Sequence, residues 1–510
     1  MNNQSFKHSI RSTMKTKKTI IIGAGVAGLS AGCYLQMNGY QTEIFEAHNI
    51  PGGLCTSWKT NGYMFDGCLH SFGALKPEYK LNQWWNEIVD LEEMDFYFHD
   101  EICQVFLEDG RVVHLYTDPD KLEQELKTIA QEDSKFIESL IKDIKHFAKY
   151  DMQLAKPLEL WNPLDYFLSQ FRTGPYLQQL SRWQKSMAEI TKTCQSPLLR
   201  RVLNQDFFSH FPAYFFLMSI GELHNHNSGY PIGGSLRFVR QIEKKYKELG
   251  GKIHYNAKVE KINVKDKRAI GITLEKGETH PADLVISAAD GHATIFKMLA
   301  GQFVDKKIKQ RYQEHAMWPS AVLVSLGLKR TFESEPAQID LMLTDPLIVD
   351  DESKLTSLPI TIYKFDPTLA EEGKTCLRVI LKTTNHRFWQ ELRINDPEKY
   401  TQEKERVAQD FIEILEQRLG NIKDQVEVID VSTPATFIRY THNWKGSIQG
   451  WDWLPGLIPE TMQKTLPKLK NFHMIGQWIS PGGGVSAAFV SGRDVSRIIC
   501  KQDRKKFQTA

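Results

Sequence analysis

Apolar runs and helical periodicity divide the start of the chain into a strand, a helix and a second strand. Residues 19–22 form a short apolar run typical of a buried strand. A helix of small residues is predicted from the glycine turn at residues 23–28 to Leu35, and Gly39 can end it. A second strand is predicted over residues 42–45. This order of strand, glycine turn, helix and strand is typical of a dinucleotide-binding unit.

Two later stretches each pair a strand with a helix that begins at glycine. Residues 230–235 lead into a helix pattern, and strand-like residues 252–255 and 257–262 follow it. Residues 472–476 predict another buried strand, and the glycine-rich residues 481–488 begin a helix that runs towards position 499. Each of these two stretches therefore combines a glycine-initiated helix with a strand, although the chain shows no internal repeat.

Two long segments separate these three stretches. The first, residues 76–229, is predicted to be largely helical, because apolar residues recur there at helical spacing. These residues are Leu122, Leu126 and Ile129, followed by Phe136, Leu140, Ile144 and Phe147. The second, residues 301–439, predicts strands at 321–326 and 377–381 and a long helix at 404–419. An α/β protein with a second, mixed region is therefore predicted.

Composition is that of a large folded protein. The 510 residues are 41% hydrophobic and 25% charged, which is enough chain for two or more domains. The formal net charge of +2 gives no argument for a nucleic-acid partner. Seven cysteines occur without a CxxC pair or a metal-ligand spacing, so we expect no metal site and a reducing, cytoplasmic compartment.

No segment is long and apolar enough to predict a membrane span. The strongest candidate, residues 207–220, has eight bulky apolar residues within its first twelve positions but is interrupted by polar ones, and it is shorter than the roughly 20 residues needed. It can be buried core, the wall of a substrate tunnel or a surface that enters the membrane. Residues 1–17 carry basic side chains and no acid, and we expect a flexible leader. A peripheral membrane contact is left open.

Each part of the opening motif has a physical role in binding a dinucleotide. Gly23 permits the tight turn, Gly25 lets the backbone approach a pyrophosphate, and Gly28 lets helix and strand pack closely. The helix N-terminus offers N–H groups and a positive dipole end to the phosphates. Glu46, at the end of the second strand, is placed to accept hydrogen bonds from a ribose.

The residues that follow resemble a known flavin family. Pro51-Gly52-Gly53, and then Phe65-Asp66-Gly67 ahead of His70, are similar to phytoene desaturases, carotenoid isomerases and retinol saturases. These belong to a wider group with amine oxidases and GDP-dissociation inhibitors. The resemblance implies FAD rather than NAD as the cofactor. It also implies a Rossmann-like FAD-binding domain with a discontinuous α+β substrate domain.

The resemblance implies how the chain is divided. The FAD-binding domain is expected from residues 18–75, 230–300 and 440–510, and the substrate domain from 76–229 and 301–439. The implied activity is desaturation, saturation or cis–trans isomerisation of carbon–carbon double bonds in a carotenoid, retinoid or related polyene lipid. Two alternatives remain: a flavin amine oxidase, and a non-catalytic escort of prenyl lipids. The oligomeric state is left open.

The resemblance also implies the site residues. It places the adenine near Val259 and directs the N-terminus of the last helix at the flavin pyrimidine. Leu54 stands where many desaturases have Arg, so no phosphate contact is expected from its side chain, and Gln477 stands where relatives commonly have Asp. His70 is the candidate general acid, with a structural, hydrogen-bonded histidine as the alternative. The expected cofactor-binding residues are Gly23, Gly25, Ala27, Gly28, Glu46, Gly52, Gly53, Leu54, Val259, Gly476, Gln477, Gly484, Val485 and Ser486.

Overall fold

The structure, a computed structural model, describes residues 16–149, 156–205, 211–456, 460–480 and 482–509. Its strands in chain order are β1 Lys18–Ile22, β2 Gln41–Phe45, β3 Ser57–Thr60, β4 Tyr63–Asp66, β5 Phe72–Gly73, β6 Phe96–Tyr97, β7 Glu101–Phe106, β8 Val112–Tyr116, β9 Ser228–Pro231, β10 Lys252–His254, β11 Val259–Lys265, β12 Arg268–Leu274, β13 Thr279–Pro281, β14 Leu284–Ser287, β15 Ser320–Leu328, β16 Gln338–Ile348, β17 Lys354–Ile362, β18 Thr375–Thr383, β19 Val426–Ser432 and β20 Phe472–Met474.

The α-helices in the same ranges are α1 Val26–Met37, α2 Lys80–Trp85, α3 Pro119–Ile129, α4 Ser134–Phe147, α5 Pro163–Arg182, α6 Met187–Ile190, α7 Pro197–Leu203, α8 Tyr214–His224, α9 Gly234–Glu248, α10 Lys306–Glu314, α11 His386–Asn395, α12 Pro397–Leu419, α13 Pro434–Thr441 and α14 Gly484–Gln502. Every one of these helices is too short or too polar to cross a bilayer.

A five-stranded parallel sheet is formed by the three stretches that share the strand and glycine-turn pattern. Its strand order is β10-β2-β1-β14-β20. Ile21 in the central strand lies between Ile44 and Ile286, and all three side chains are buried. Strands with such continuous apolar runs need cover on both faces. Helices α1, α9 and α14 contribute buried apolar residues to this core.

A seven-stranded sheet occupies the other half of the molecule, in the order β19-β15-β18-β17-β16-β7-β8. Neighbouring strands are antiparallel, except that β16 and β7 run parallel. Successive residues of β18 face opposite sides. Leu377, Val379 and Leu381 pack in one core with α12, while Arg378 and Lys382 lie on the opposite side. That side borders a cleft beside His70, which Arg378 contacts, and we call it the cleft face of β18.

Helices α3, α4 and α8 pack together with β7 and β8. The apolar side chains predicted at helical spacing are buried here, Leu122, Leu140 and Ile144 among them. Most of the bulky residues of α8 are buried in the same cluster, Leu217 and Ile220 completely. The described part of the apolar stretch 207–220 is therefore mainly core, and residues 207–210 lie outside the described ranges.

The sequence predicts the long elements well and misses several strands. Helices α1, α3, α4, α9 and α14 and strands β1, β2, β10, β11, β15, β18 and β20 lie where the sequence places them, within a few residues, whereas α12 begins seven residues before its predicted start at position 404. The first long segment is less helical than expected, because it contains β7 and β8, and β16, β17 and β19 were not predicted. The assignment of segments to domains stays a prediction.

Candidate active site

A glycine turn joins β1 to α1 and leaves the beginning of the helix without a side-chain cap. Gly23 has a φ of +99°, and its N–H donates to the Phe45 carbonyl at 2.8 Å. A Cβ placed on Gly28 would collide with the Gly23 carbonyl, so only glycine fits there. Gly25 is the N-cap residue. The first N–H groups of α1 have no partner within the helix and can therefore bind an anion.

The turn at residues 51–53 lies directly against this glycine turn. Gly52 pairs with Gly25, and its N–H donates to the Ala24 carbonyl at 3.0 Å. A Cβ placed on Gly25 would lie 3.8 Å from the Gly52 carbonyl, and one placed on Gly53 would lie 3.8 Å from the Gly25 Cα. A Cβ on Gly25 or on Gly53 would therefore meet a single described atom, in ordinary contact, next to the start of α1.

The Glu46 carboxylate lies beside the glycine turn. Its Oε2 accepts the Ala24 N–H at 2.6 Å, and its Oε1 accepts the His48 N–H at 2.8 Å. Burial raises the pKa of Glu46, and the N–H groups of His48 and Ala24 act in the opposite direction. A carboxylate has about four lone-pair positions, so Glu46 can still accept hydrogen bonds from a sugar hydroxyl.

Backbone hydrogen bonds hold the approach to β11 against Glu46. The Ala257 N–H donates to the Glu46 carbonyl at 2.8 Å, and the Asn256 N–H donates to the His48 carbonyl at 3.1 Å. Val259 begins β11 two residues later and is buried. The position predicted for the adenine contact therefore lies close to the end of β2.

The C-terminal strand and helix complete the same surface. Gly476 has a φ of +95°, and a Cβ placed on it would lie 3.7 Å from the Ala27 Cβ. Gly484 begins α14, and a Cβ placed there would meet no described atom within 4 Å. Val485 and Ser486 in the first turn are half-exposed. We call the surface formed by residues 23–28, 51–53 and 484–486 the nucleotide cradle.

A buried arginine from the other sheet contacts His70. The Arg378 guanidinium lies 3.1 Å from His70 Nδ1 and also donates to the Asp66 carbonyl. Because arginine can only donate, Nδ1 is the acceptor and the imidazole proton is on Nε2. The Asp66 carboxylate accepts the N–H groups of Cys68 and Ser235 and thereby fixes its own turn.

The environment keeps His70 neutral. Burial, together with the nearby Arg378 cation, lowers the pKa of His70 to about 3. His70 is nonetheless exposed although protein atoms surround it, so it borders an open cleft. A neutral imidazole is a poor general acid, but its Nε2–H is a good hydrogen-bond donor.

Aromatic side chains connect the His70 segment with the beginning of α14. Phe72 packs against Trp85 with ring centroids 5.1 Å apart, and Trp85 stacks on Phe489 at 3.8 Å. Phe489 lies in the second turn of α14, just after the cradle residues. The cleft that His70 lines is therefore close to the nucleotide cradle.

Comparison with known proteins identifies the family. Residues 26–500 match the family described as flavin containing amine oxidoreductase. The match covers more than half of the chain. The chain belongs to the flavin-containing amine oxidoreductase family. It is an oxidoreductase whose cofactor is FAD, and these predictions from the sequence are confirmed.

Curated relatives resemble almost the whole chain. A phytoene desaturase from Phycomyces blakesleeanus is 26% identical over 95% of this chain and 85% of its own. Prolycopene isomerase 1 from an Oncidium hybrid is 25% identical over 93% and 82%. The all-trans-retinol 13,14-reductase of Danio rerio is 26% identical over 90% and 82%. The resemblance stated from the sequence motifs is thus confirmed.

A solved structure supports the fold. An oxidoreductase from Methanosarcina mazei aligns with a TM-score of 0.58 and 17% identity, over 94% of this chain and 99% of the other. The predicted fold class, a Rossmann-like FAD-binding region with a mixed α+β region, is therefore confirmed.

The residues of this flavoprotein fit the cofactor. A Cβ placed on Gly484 would meet no described atom within 4 Å, and the N-termini of α1 and α14 offer backbone N–H groups to phosphates. Glu46 supplies an acceptor for a ribose. The assignment of individual residues to FAD, including the half-buried Leu54 and Gln477, stays a prediction. FAD supplies two-electron redox chemistry when bound.

The sequence missed Arg378 as a functional residue. The signal was present, because this residue is the one charged position in the apolar run 377–381. A charge inside a buried strand needs a partner, so a charged residue in an apolar run indicates a contact with another part of the chain. The identity of that partner, 308 positions away along the chain, becomes visible only in the structure.

We expect Glu46→Gln to weaken FAD binding by about 10-fold or more, because hydrogen bonds to a charged group are worth about 1.5–3 kcal/mol. The substitution also turns an amide NH₂ towards backbone donors. Flavin titration followed by fluorescence quenching measures the change. Glu43→Gln, in the strand that Glu46 follows, is the control, since Glu43 pairs with Lys18 and His254 rather than with the glycine turn. Equal affinities in the two variants would contradict the role of Glu46.

We expect His70→Gln to make the protein less sensitive to acid. An unfolded chain protonates histidine below pH 6.5, whereas folded His70 stays neutral down to about pH 3. The stability from neutral His70 is therefore complete above pH 6.5 and is lost as the pH falls towards 3. Glutamine can still accept from Arg378 but does not titrate. Thermal unfolding at several pH values tests this, with the exposed His224→Gln as control. Identical pH slopes for His70→Gln and the wild-type protein would argue against it.

Proposed function

We propose that this flavoprotein desaturates, saturates or isomerises carbon–carbon double bonds of a carotenoid, retinoid or related polyene lipid. The relatives named above support the substrate class. The structural observation that carries the proposal is an aromatic wall next to the beginning of α14. Such a wall suits a long apolar ligand, which is bound by area and shape rather than by charge.

The aromatic wall is formed by α8 and the loop before the last strand. A Cβ placed on Gly482 would lie 2.9 Å from the Trp453 ring, so Trp453 borders the glycine turn that precedes α14. Trp453 packs against Phe215 at 4.9 Å between ring centroids, and Phe215 packs against Phe211 at 5.4 Å. Trp453 and Phe215 are half-exposed. They can therefore contact a ligand that lies beside the cradle.

The charges of the cleft favour a neutral substrate over an amine. Arg378 and Lys382 lie on the cleft face of β18, and the Lys382 ammonium is 5.8 Å from the Phe211 ring. Burial raises the pKa of Asp452, and the Lys382 charge acts in the opposite direction. A cationic amine placed beside the Arg378 and Lys382 side chains would lose hydration without gaining attraction from these two groups. A polyene carries no charge and avoids this cost.

The protein's own residues then bind, orient and shield the substrate. The aromatic wall excludes water from the reacting carbons. The His70 Nε2–H is fixed by Arg378 and can donate a hydrogen bond without being charged. In this role His70 acts as an oriented hydrogen-bond donor and not as a protonated acid.

We expect the flavin-loaded protein, incubated without oxygen with a panel of polyenes, to change the mass or the double-bond geometry of at least one of them. Chromatography with mass spectrometry distinguishes desaturation, saturation and isomerisation.

Trp453→Ala should lower kcat/KM by about 10-fold, since an aromatic contact contributes roughly 0.5–1.5 kcal/mol beyond its buried area, while flavin content is unchanged. Phe388→Ala on α11, outside the aromatic wall, serves as the control. Bleaching of the flavin by primary amines and not by polyenes would instead establish an amine oxidase.

We further propose that the protein acts in the cytoplasm and touches a membrane through the start of α5. Leu164 is 61% exposed and Phe167 59% exposed, and Leu168 lies on the same helical face. The neighbouring acids are neutralised, because Asp165 pairs with Lys156 and Glu159 pairs with Lys464. An apolar face without net negative charge favours a lipid surface. From this position on the membrane surface the protein would reach a polyene substrate dissolved in the bilayer.

We expect the double variant Leu164→Asp with Phe167→Asp to lose binding to vesicles of phosphatidylcholine and phosphatidylglycerol, because two charges then oppose burial of the face. Co-sedimentation measures the bound fraction. The control is Ile394→Asp, which replaces another exposed apolar side chain on a different helix, α11. Loss of binding in both variants, or in neither, would rule out this surface.

A further inference from the structure

Two cysteines face each other across the hairpin of β3 and β4. The antiparallel register pairs Ser57 with Asp66 and Thr60 with Tyr63. The ladder continues one step further, because the Gly67 N–H donates to the Thr56 carbonyl at 3.0 Å. The next step of the same register sets Cys55 opposite Cys68, and both are free thiols.

The two thiols lie on the same face of the hairpin. Side chains two residues apart in a strand share a face, so Cys55 and Cys68 follow Ser57 and Asp66. The Ser57 hydroxyl donates to the Asp66 carboxylate at 3.5 Å, which shows that this face brings opposite side chains together. Because Thr56 and Gly67 form the hydrogen-bonded pair, the cysteines occupy a non-hydrogen-bonded position, where opposite Cβ atoms are closest. That spacing approaches the range of a disulfide.

The surroundings of the two cysteines differ. Cys55 is buried, whereas Cys68 is half-buried and closer to solvent. A hydrogen bond with Cys68, followed by burial, raises the pKa of the Cys55 thiol well above its ordinary value. Thiol exchange proceeds through the thiolate and depends on access. Cys68 is therefore the thiol that reacts first with a small molecule.

We propose that Cys55 and Cys68 form a reversible redox modification site. The Cys68 thiolate attacks a small-molecule disulfide such as oxidised glutathione, which forms a mixed disulfide and releases one thiol. Cys55 then displaces the second thiol, and an S–S bond joins the two cysteines. The small disulfide is reduced to two thiols, and the protein loses two hydrogens. In a reducing compartment the dithiol persists, and the disulfide forms under oxidative conditions.

The two cysteines lie where a disulfide between them would affect the active site. Cys55 follows the turn at 51–53 by two residues, and its N–H donates to the Gly52 carbonyl at 3.1 Å. Cys68 precedes His70 by two residues, and the intervening Leu69 N–H donates to the Ser235 hydroxyl. A disulfide would therefore tie the nucleotide cradle to the segment that carries His70.

The flavin-loaded protein, reduced and then treated with oxidised glutathione, tests the proposal. After acid quenching and alkylation, trypsin should yield fragment 19–59 linked to fragment 60–80, and tandem mass spectrometry should assign the bond to Cys55 rather than Cys33. We expect two of the seven thiols to be lost and to return after treatment with dithiothreitol. This measurement needs no variant and so does not depend on whether a variant folds.

Two variants test which cysteine reacts first and whether the reaction is specific to this pair. In Cys55→Ser, glutathione should remain attached to Cys68, because no second thiol displaces it. In the matched control Cys376→Ser, which removes another buried cysteine, the linked fragments should form as in the wild-type protein. A stable glutathione adduct on Cys68 of the wild-type protein, or no reaction at either cysteine, would overturn the proposal.

Discussion

Direct backbone contact between α1 and α14 is the constraint on which the cofactor site depends. Gly492 in α14 lies so close to α1 that a Cβ there would approach the Ala27 carbonyl to 2.5 Å and the Ala31 N–H to 2.7 Å. The Ser30 hydroxyl donates to the Phe489 carbonyl at 2.8 Å across the same contact. Both helices follow strands of one parallel sheet, so their N-termini meet at the same edge. Small residues in the middle of the helices thus decide how closely the two N-termini approach one ligand.

A second constraint acts between the two sheets. Arg378 reaches out of the seven-stranded sheet, and its guanidinium donates to the Asp66 carbonyl and to His70. It also lies 5.3 Å from the centre of the Tyr363 ring. A buried cation is costly to desolvate, and removing one of its partners leaves the charge uncompensated. The segment after β4 and the cleft face of β18 are therefore held in one arrangement, and His70 takes its tautomer from that arrangement.

How much could be predicted from the sequence follows from the range of each interaction. The turn at Gly23 and the capping position of Gly25 are local requirements of backbone geometry, so a short window of sequence reveals them. Helices α3 and α12 likewise carry their periodicity within themselves. Strand β7 is different, because it gains its partner β16 from more than two hundred residues away. The short alternation of apolar and polar residues in β7 is less distinct in the sequence than the helical spacing around it.

The same limit applies to the chemistry of His70, whose role stays a prediction, and the contact with Arg378 favours the alternative of a hydrogen-bonded histidine. A motif placed it near the cofactor, and a histidine there suggests an acid with a pKa near neutrality. The pKa depends on which charge lies beside the ring, and Arg378 comes from a strand in a different region of the chain. With a cation at Nδ1 the ring cannot easily gain a proton, so its useful property is the direction of the Nε2–H. Arg378 therefore fixes the orientation of the His70 ring and with it the direction of the Nε2–H.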